Sequence, residues 1–271
     1  MKNEIVSEEY IELQKKLLDV QKRIEEQIDQ EHLTVLVEDP FKIPHLPLYT
    51  QVAFNVDRNI YLEAFKGILG VMVKSQPSLQ NDASIFGKIM DANLANQWIE
   101  EALSMNEYYF VSWAEENKVE SWLPYFMAEQ ALRPFMRVLA KLYEAQIKDV
   151  AKTAKHCPCC GEPVRLAQLE QKGKKFLVCP RCYAKWQEKK LSCSHCGNDD
   201  HQKLKYLSVE RQKEAQIQVC NECNGYIKVI DTSAYIQKPE PALLDILTIH
   251  LDYIAQEKGY GDIKQDTQKQ N

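Results

Sequence analysis

Nine cysteines stand in this 271-residue sequence, and all of them fall within the 67 residues from Cys157 to Cys223. Eight form four CxxC pairs: Cys157/Cys160, Cys179/Cys182, Cys193/Cys196 and Cys220/Cys223. A CxxC turn aims two sulfurs at one point. Two such turns face to face make a tetrahedral four-sulfur cage that suits Zn2+ or iron. Four turns therefore imply two metal sites. A closed four-cysteine cage keeps no open coordination position, so hydrolytic metal chemistry is disfavoured. Two roles remain: a folding contribution, as with zinc, or transfer of one electron, as with iron. Thiolates accept both metals, so the residues alone leave zinc and iron open.

The linkers decide which turns meet. Cys160 and Cys179 are separated by 18 residues, Cys196 and Cys220 by 23. Each linker has room for a β-hairpin that brings its two knuckles together. The first reads Pro163 to Leu169, a turn-like Gln171 to Lys175, then Phe176-Leu177-Val178; the second reads Leu204 to Val209, a polar run Glu210 to Glu214, then Ala215 to Val219. Such alternation is a strand signal. Site one is thus assigned to Cys157, Cys160, Cys179 and Cys182, and site two to Cys193, Cys196, Cys220 and Cys223. Interleaved pairing is the alternative. The short joint Tyr183 to Ser192 sets the two ribbons side by side.

Other uses of these cysteines fit less well. A disulfide framework needs an oxidising compartment, and no apolar leader follows Met1. A redox CxxC is usually a single motif near a βαβ unit. Cys159, inside the first knuckle, reads as a bystander with exchange into the cage as the alternative. His156 and His195 adjoin ligands and read as hydrogen-bonding supports. Tyr183, Trp186 and Tyr226 are candidate anchors for a partner, with packing over small ribbons as the plainer alternative.

Helical patterning positions this stretch. Ser7 to Gln30 carries Tyr10, Leu13, Leu17, Val20, Ile24 and Ile28 at spacings of three and four, with Ser7 as cap. Asp39 to Pro47 holds three prolines and predicts an extended connector ordered by Phe41, Ile43 and Leu46. Helical segments follow at Asn59–Val73, Ser84–Met90, Leu94–Ser104 and Asn106–Asn117, their aromatics read as core. A helix starts near Leu123-Pro124, and Pro134 is expected to end or kink it near Arg133. Phe135 to Ala154 then leads into the first knuckle. Tyr226 to Ile230 predicts a strand, and Pro241 to Glu257 a last helix with Gly259 as cap, packing back on the helical body.

The net charge is −5, unevenly spread. Residues 152–231 hold 15 Lys and Arg against 9 Asp and Glu, while the remainder holds 19 against 30. A basic module on an acidic body suits either plain solvation or an acidic partner. No run of 18 apolar residues predicts a membrane span. Glycine-rich phosphate loops, nucleophile elbows and HExxH motifs do not occur before residue 150.

The sequence resembles the FdhE family of formate dehydrogenase accessory proteins. The match rests on Cys157-Pro158-x-Cys160-Gly161, on Cys179-x-x-Cys182 followed by Trp186, and on Cys193-x-x-Cys196. It continues in Cys220-Asn221-Glu222-Cys223-Asn224-Gly225-Tyr226-Ile227-Lys228. Ala131-Leu132-Arg133-Pro134-Phe135 and Leu251 to Tyr260 resemble the family's helical segments. The resemblance is clear over Pro124 to Tyr260. It implies a helical domain carrying rubredoxin-like metal sites, with the eight paired cysteines as ligands. It also implies a cytoplasmic, non-enzymatic role in forming active formate dehydrogenase through contact with its catalytic subunit.

The expected fold is therefore α+β and mainly helical, with two tandem zinc-ribbon or rubredoxin-like modules of four cysteines each. The expected divisions are a helical domain over 1–154, modules over 155–190 and 191–234, a C-terminal helix over 235–260 and a disordered tail over 261–271. The alternative function is a zinc-ribbon nucleic-acid binder, disfavoured by the acidic chain and by aromatics not interleaved with basic residues.

Overall fold

A computed structural model of the chain describes residues 6–34, 37, 39–43, 46–150, 155–170, 173–209, 212–233, 235 and 237–261. Gln171 and Lys172 of the expected turn Gln171 to Lys175, residues 151–154 at the end of the segment expected over Phe135 to Ala154, and the tail beyond Gly261 lie outside these residues. The helices are α1 Glu8–Glu25, α2 Gln30–Leu33, α3 Leu48–Gln51, α4 Arg58–Ser75, α5 Gln80–Ile89, α6 Ala92–Leu103, α7 Glu107–Asn117, α8 Leu123–Leu142 and α9 Glu144–Asp149. The strands are β1 Leu166–Glu170, β2 Lys174–Val178, β3 Lys185–Glu188, β4 Leu204–Val209, β5 Gln212–Cys220 and β6 Tyr226–Asp231. Two more helices follow, α10 Pro241–Leu247 and α11 Ile249–Glu257. The architecture is the α+β, mainly helical one expected. The chain divides into two compact units, Ser7–Glu38 with Val52–Leu142, and Met1–Val6 with Asp39–Gln51 and Tyr143–Asn271.

In the helical unit, side-chain caps start the helices. Ser7 Oγ accepts from Tyr10 N at 3.2 Å, and Asp57 and Asp91 cap α4 and α6 in the same way. Helices α1, α4 and α8 pack against one another. Gly67 lets α4 approach α1 closely, since a Cβ there would stand 2.9 Å from Val20 Cγ1. Most of the aromatics are core, and Trp98 touches Phe65, Phe86, Phe110 and Trp113 with ring centroids 5.0–5.9 Å apart, while Tyr108 and Trp122 are exposed. Two expectations change here. Of the two outcomes expected at Pro134, an end or a kink, the end does not occur: helix α8 runs through Pro134 to Leu142. Proline removes the N–H that would bond the carbonyl four residues back; that carbonyl, on Gln130, accepts from Gln21 Nε2 of α1 at 2.9 Å. The segment after Pro134 is the second half of α8, and the separate α9 ends at Asp149.

In the other unit the two ribbons fuse into one six-stranded sheet of order β3-β2-β1-β6-β5-β4. Neighbours run antiparallel except at the joint, where β1 and β6 pair in parallel from Leu166↔Lys228 to Leu169↔Asp231. The first strand of one ribbon thus meets the third strand of the other. The last helical segment breaks at Thr248 into α10 and α11. Its apolar stripe was expected on the helical body. Instead Leu244, Leu251 and Ala255 pack onto Leu166, Ala215, Ile217, Val219 and Ile230 of the sheet. Gly259, at φ 81°, ends α11: its N–H bonds Gln256 O, and Tyr260 N bonds Ala255 O.

Candidate metal centres

All four CxxC turns share one backbone geometry. The N–H of the first cysteine bonds the carbonyl five residues on, at 2.7–3.0 Å. Its own carbonyl accepts from the N–H four residues on, at 2.9 Å in every case. The residue at that fourth position takes a left-handed conformation: Gly161 (φ 77°), Tyr183 (64°), Gly197 (76°) and Asn224 (64°). Each turn sits at one end of a hairpin, so each hairpin delivers two turns to one place.

The structure brings together the sulfurs that the linkers predicted. Cys157, Cys160, Cys179 and Cys182 form one group, and Cys193, Cys196, Cys220 and Cys223 the other, each with all four sulfurs within 4.8 Å. Neighbouring sulfurs lie 3.5 and 3.6 Å apart in the first group, 3.6 and 3.8 Å in the second. A disulfide needs about 2.05 Å, and all nine cysteines are free. A tetrahedral ion with metal–sulfur bonds of about 2.3 Å sets its sulfurs about 3.8 Å apart. Both groups fit such an ion.

The proton chemistry points the same way. In the first cage burial raises the thiols of Cys157, Cys160 and Cys182, while Cys179, despite burial, is held low by hydrogen bonds from the other three. In the second, the hydrogen bond from Cys223 holds Cys193 at about 4, and burial lifts Cys196 to about 11. Burial thus opposes bringing several thiolates together in either cage, and a bound cation would offset that cost. Backbone N–H groups already aim at the sulfurs: His195 N at Cys193 and Gly225 N at Cys223, both at 3.4 Å.

Distant segments fasten each cage. Helix α3 lies on the first, with Leu48 N donating to Pro158 O at 2.8 Å and Tyr49 N to Cys159 O at 3.3 Å. Ile43 and Leu46, expected to order the connector, are exposed. Its order comes from the Gln51 side chain, which bonds the Ile43 N–H and the carbonyls of Ile43 and Leu46, and from fully buried Leu48. On the second cage, Asn224 Nδ2 donates to Gly259 O, Gly261 N to Asn224 O and Tyr260 Oη to Asn221 Oδ1. Behind these contacts Lys228 Nζ, Asp245, Asp252 and Arg165 form a charged clamp between sheet and terminal helices, with ion pairs of 2.7–2.8 Å.

The remaining sequence candidates separate. His195 Nε2 donates to Tyr226 O at 2.9 Å, holding its ring against Gly225. His156 is exposed, and its backbone bridges Pro163. Cys159 is buried. Of the candidate anchors, Trp186 is buried, Tyr226 donates to Asp252 at 3.0 Å, and Tyr183 is the left-handed residue of its knuckle. All three have structural employment. Sequence reasoning missed the buried cations. Arg181 donates to Cys160 O at 3.1 Å beside the first cage. Lys175 pairs with Glu188 at 2.6 Å, and Ser194 of the third knuckle donates to the same carboxylate at 2.7 Å. Lys175, Arg181 and Lys228 are each 1% exposed, so much of the module's basic surplus faces inward. Arg181 lies between two ligands, which was the available signal; Lys175 sits in a polar turn-like run and gave none.

Residues 191–266 match the family model described as FdhE, C-terminal domain. Over 112 residues the chain is 33% identical to a protein FdhE homolog of Stutzerimonas stutzeri, covering 38% of this chain and 35% of that one. A protein FdhE homolog of Aquifex aeolicus is 29% identical over 152 residues, 54% of this chain and 52% of that one. The chain thus matches these curated relatives over 35% and 52% of their lengths. Its fold is similar to the crystal structure of the FdhE protein from Pseudomonas aeruginosa, with a TM-score of 0.59 at 18% identity over 93% of this chain and 87% of that one. Residues 191–266, which hold the second cage and the helices clamped to it, thus match the FdhE C-terminal domain model, in a chain whose fold is similar to that of an FdhE crystal structure.

Proposed function

We propose that the chain is an accessory factor in the formation of active formate dehydrogenase, and that it engages the catalytic subunit through its metal-bearing sheet unit. The observation that carries this reading is the coincidence of a complete four-cysteine cage with the FdhE C-terminal domain match. The eight cysteines Cys157, Cys160, Cys179, Cys182, Cys193, Cys196, Cys220 and Cys223 would hold two ions, zinc or iron. Closed cages give the ions no site for substrate, which suits a helper rather than an enzyme. Reduced thiols suit the cytoplasm, and among the described residues no helix is long and apolar enough to cross a membrane. The expected division into a helical domain, two four-cysteine modules and a terminal helix remains the working map for truncations. Burial of three of its cations weakens the nucleic-acid alternative.

The test is genetic and biochemical. Deleting the coding sequence from its host should abolish formate-dependent dye reduction, and wild-type protein should restore it. Tagged protein should co-purify with the catalytic subunit. Full activity in the deletion strain would end the accessory reading; lost activity without co-purification would end the docking part of it.

A further inference from the structure

The two cages share a backbone geometry but not an environment. In the first, Cys157, Cys160, Cys179 and Cys182 are 0–3% exposed. The main chain of α3 lies over one knuckle, and buried Arg181 fills the other. In the second, Cys193, Cys220 and Cys223 are 1–6% exposed, but Cys196 is only partly buried. The terminal segment fastens the Cys220–Cys223 knuckle, and the Lys175–Glu188–Ser194 web holds the near side of the Cys193–Cys196 knuckle. Cys196 lies at the far end of that turn, followed by half-buried Gly197 and Asn198.

Resting on the two-centre reading above, we infer that the second cage is the exchangeable centre and that its ion enters and leaves through Cys196, while the first cage is sealed. A closed tetrahedral site exchanges when an incoming soft donor reaches the ion beside one of its ligands, and a thiol is the matching class. The step is a ligand substitution. The new metal–sulfur bond forms, the bond to Cys196 breaks, and the incoming thiol's proton passes to the Cys196 sulfur. No electron changes hands. The sequence treats the eight ligands alike; only the structure separates Cys196 from the rest.

The test uses full-length protein purified without oxygen and carrying two ions by elemental analysis. It is incubated with excess EDTA, and retained metal is measured after desalting. A parallel sample is alkylated with iodoacetamide and mapped by peptide mass spectrometry. The expected result is one ion lost at least about tenfold faster than the other, with Cys196 modified before any other ligand, as access governs thiol reactivity. C196S should lose the fast ion and keep the slow one, and the wild-type alkylation order stands independently if that variant fails to fold. Two ions lost at one rate, or first modification at Cys157, Cys160, Cys179 or Cys182, would overturn the inference alone. Fewer than two ions in folded protein would remove the two-centre reading and the inference with it.

Discussion

A methyl group on residue 225 would stand 2.5 Å from His195 Cδ2 and 3.3 Å from the Cys223 sulfur. Gly225→Ala must therefore push the His195 ring off its hydrogen bond to Tyr226 O. The ligands stay but lose their support. Second-cage affinity should fall about 10–100-fold, the usual effect of disturbing an outer-shell group. Chelator competition reads this directly, and unchanged affinity would show that the ring does not hold the cage. Asp245 gives the pH dependence. Burial pushes its carboxyl up, but Arg165 and Lys228 pull it down further, and it titrates below its ordinary 3.8. A depressed carboxyl contributes stability that is present above its unfolded value and is lost as pH falls through the folded one. Asp245→Asn should cost about 3–5 kcal/mol at neutral pH, as for one partner of a buried ion pair. The gap from wild type should close between about pH 4 and lower values. Denaturant unfolding at several pH values checks it; a gap independent of pH would exclude Asp245 as the titrating group.

Helix α8 accommodates Pro134 because α1 supplies what the proline removes. Gln21→Ala should strand the buried Gln130 carbonyl and cost about 1–3 kcal/mol. In a Pro134→Ala background the helix makes its own bond to that carbonyl, and the cost should shrink. A double-mutant cycle by thermal unfolding measures this coupling, and additive effects would remove the account. This element marks where the sequence stops being readable. Ser7, Gly259 and the eight paired cysteines act through neighbours a few residues away or through hairpins of defined length, so they could be read in advance. The Gln21–Gln130 bond joins residues 109 apart, and nothing local announces it. The same holds for α3 on the first cage and for the apolar stripe of α10 and α11. Periodicity shows that a stripe exists; it does not say which surface will cover it.

The second cage is itself a hydrophobic cluster, since Cys193, Cys220 and Cys223 pack with Leu204. Part of the sheet unit's core is thus sulfur, which a bound ion would stabilise. Stripping both ions should release amide protection across β1 to β6, while amides of α4 and α8 keep theirs. Hydrogen exchange followed by mass spectrometry would show this, and equal loss in both units would mean that they unfold together. The β1–β6 joint carries one more consequence. It links unlike edges of two similar ribbons, a head-to-tail contact that does not close on itself. The free edges, β3 at one end and β4 at the other, are the two halves of that same contact. Left bare on separate molecules, they would invite the sheet to grow into a filament. The chain blunts both: α9 packs against β3, and β4 carries exposed Lys205 and an irregular register at Ser208–Val209. Helix α9 thus serves as a terminator, ending at two ribbons a pattern that could otherwise polymerise.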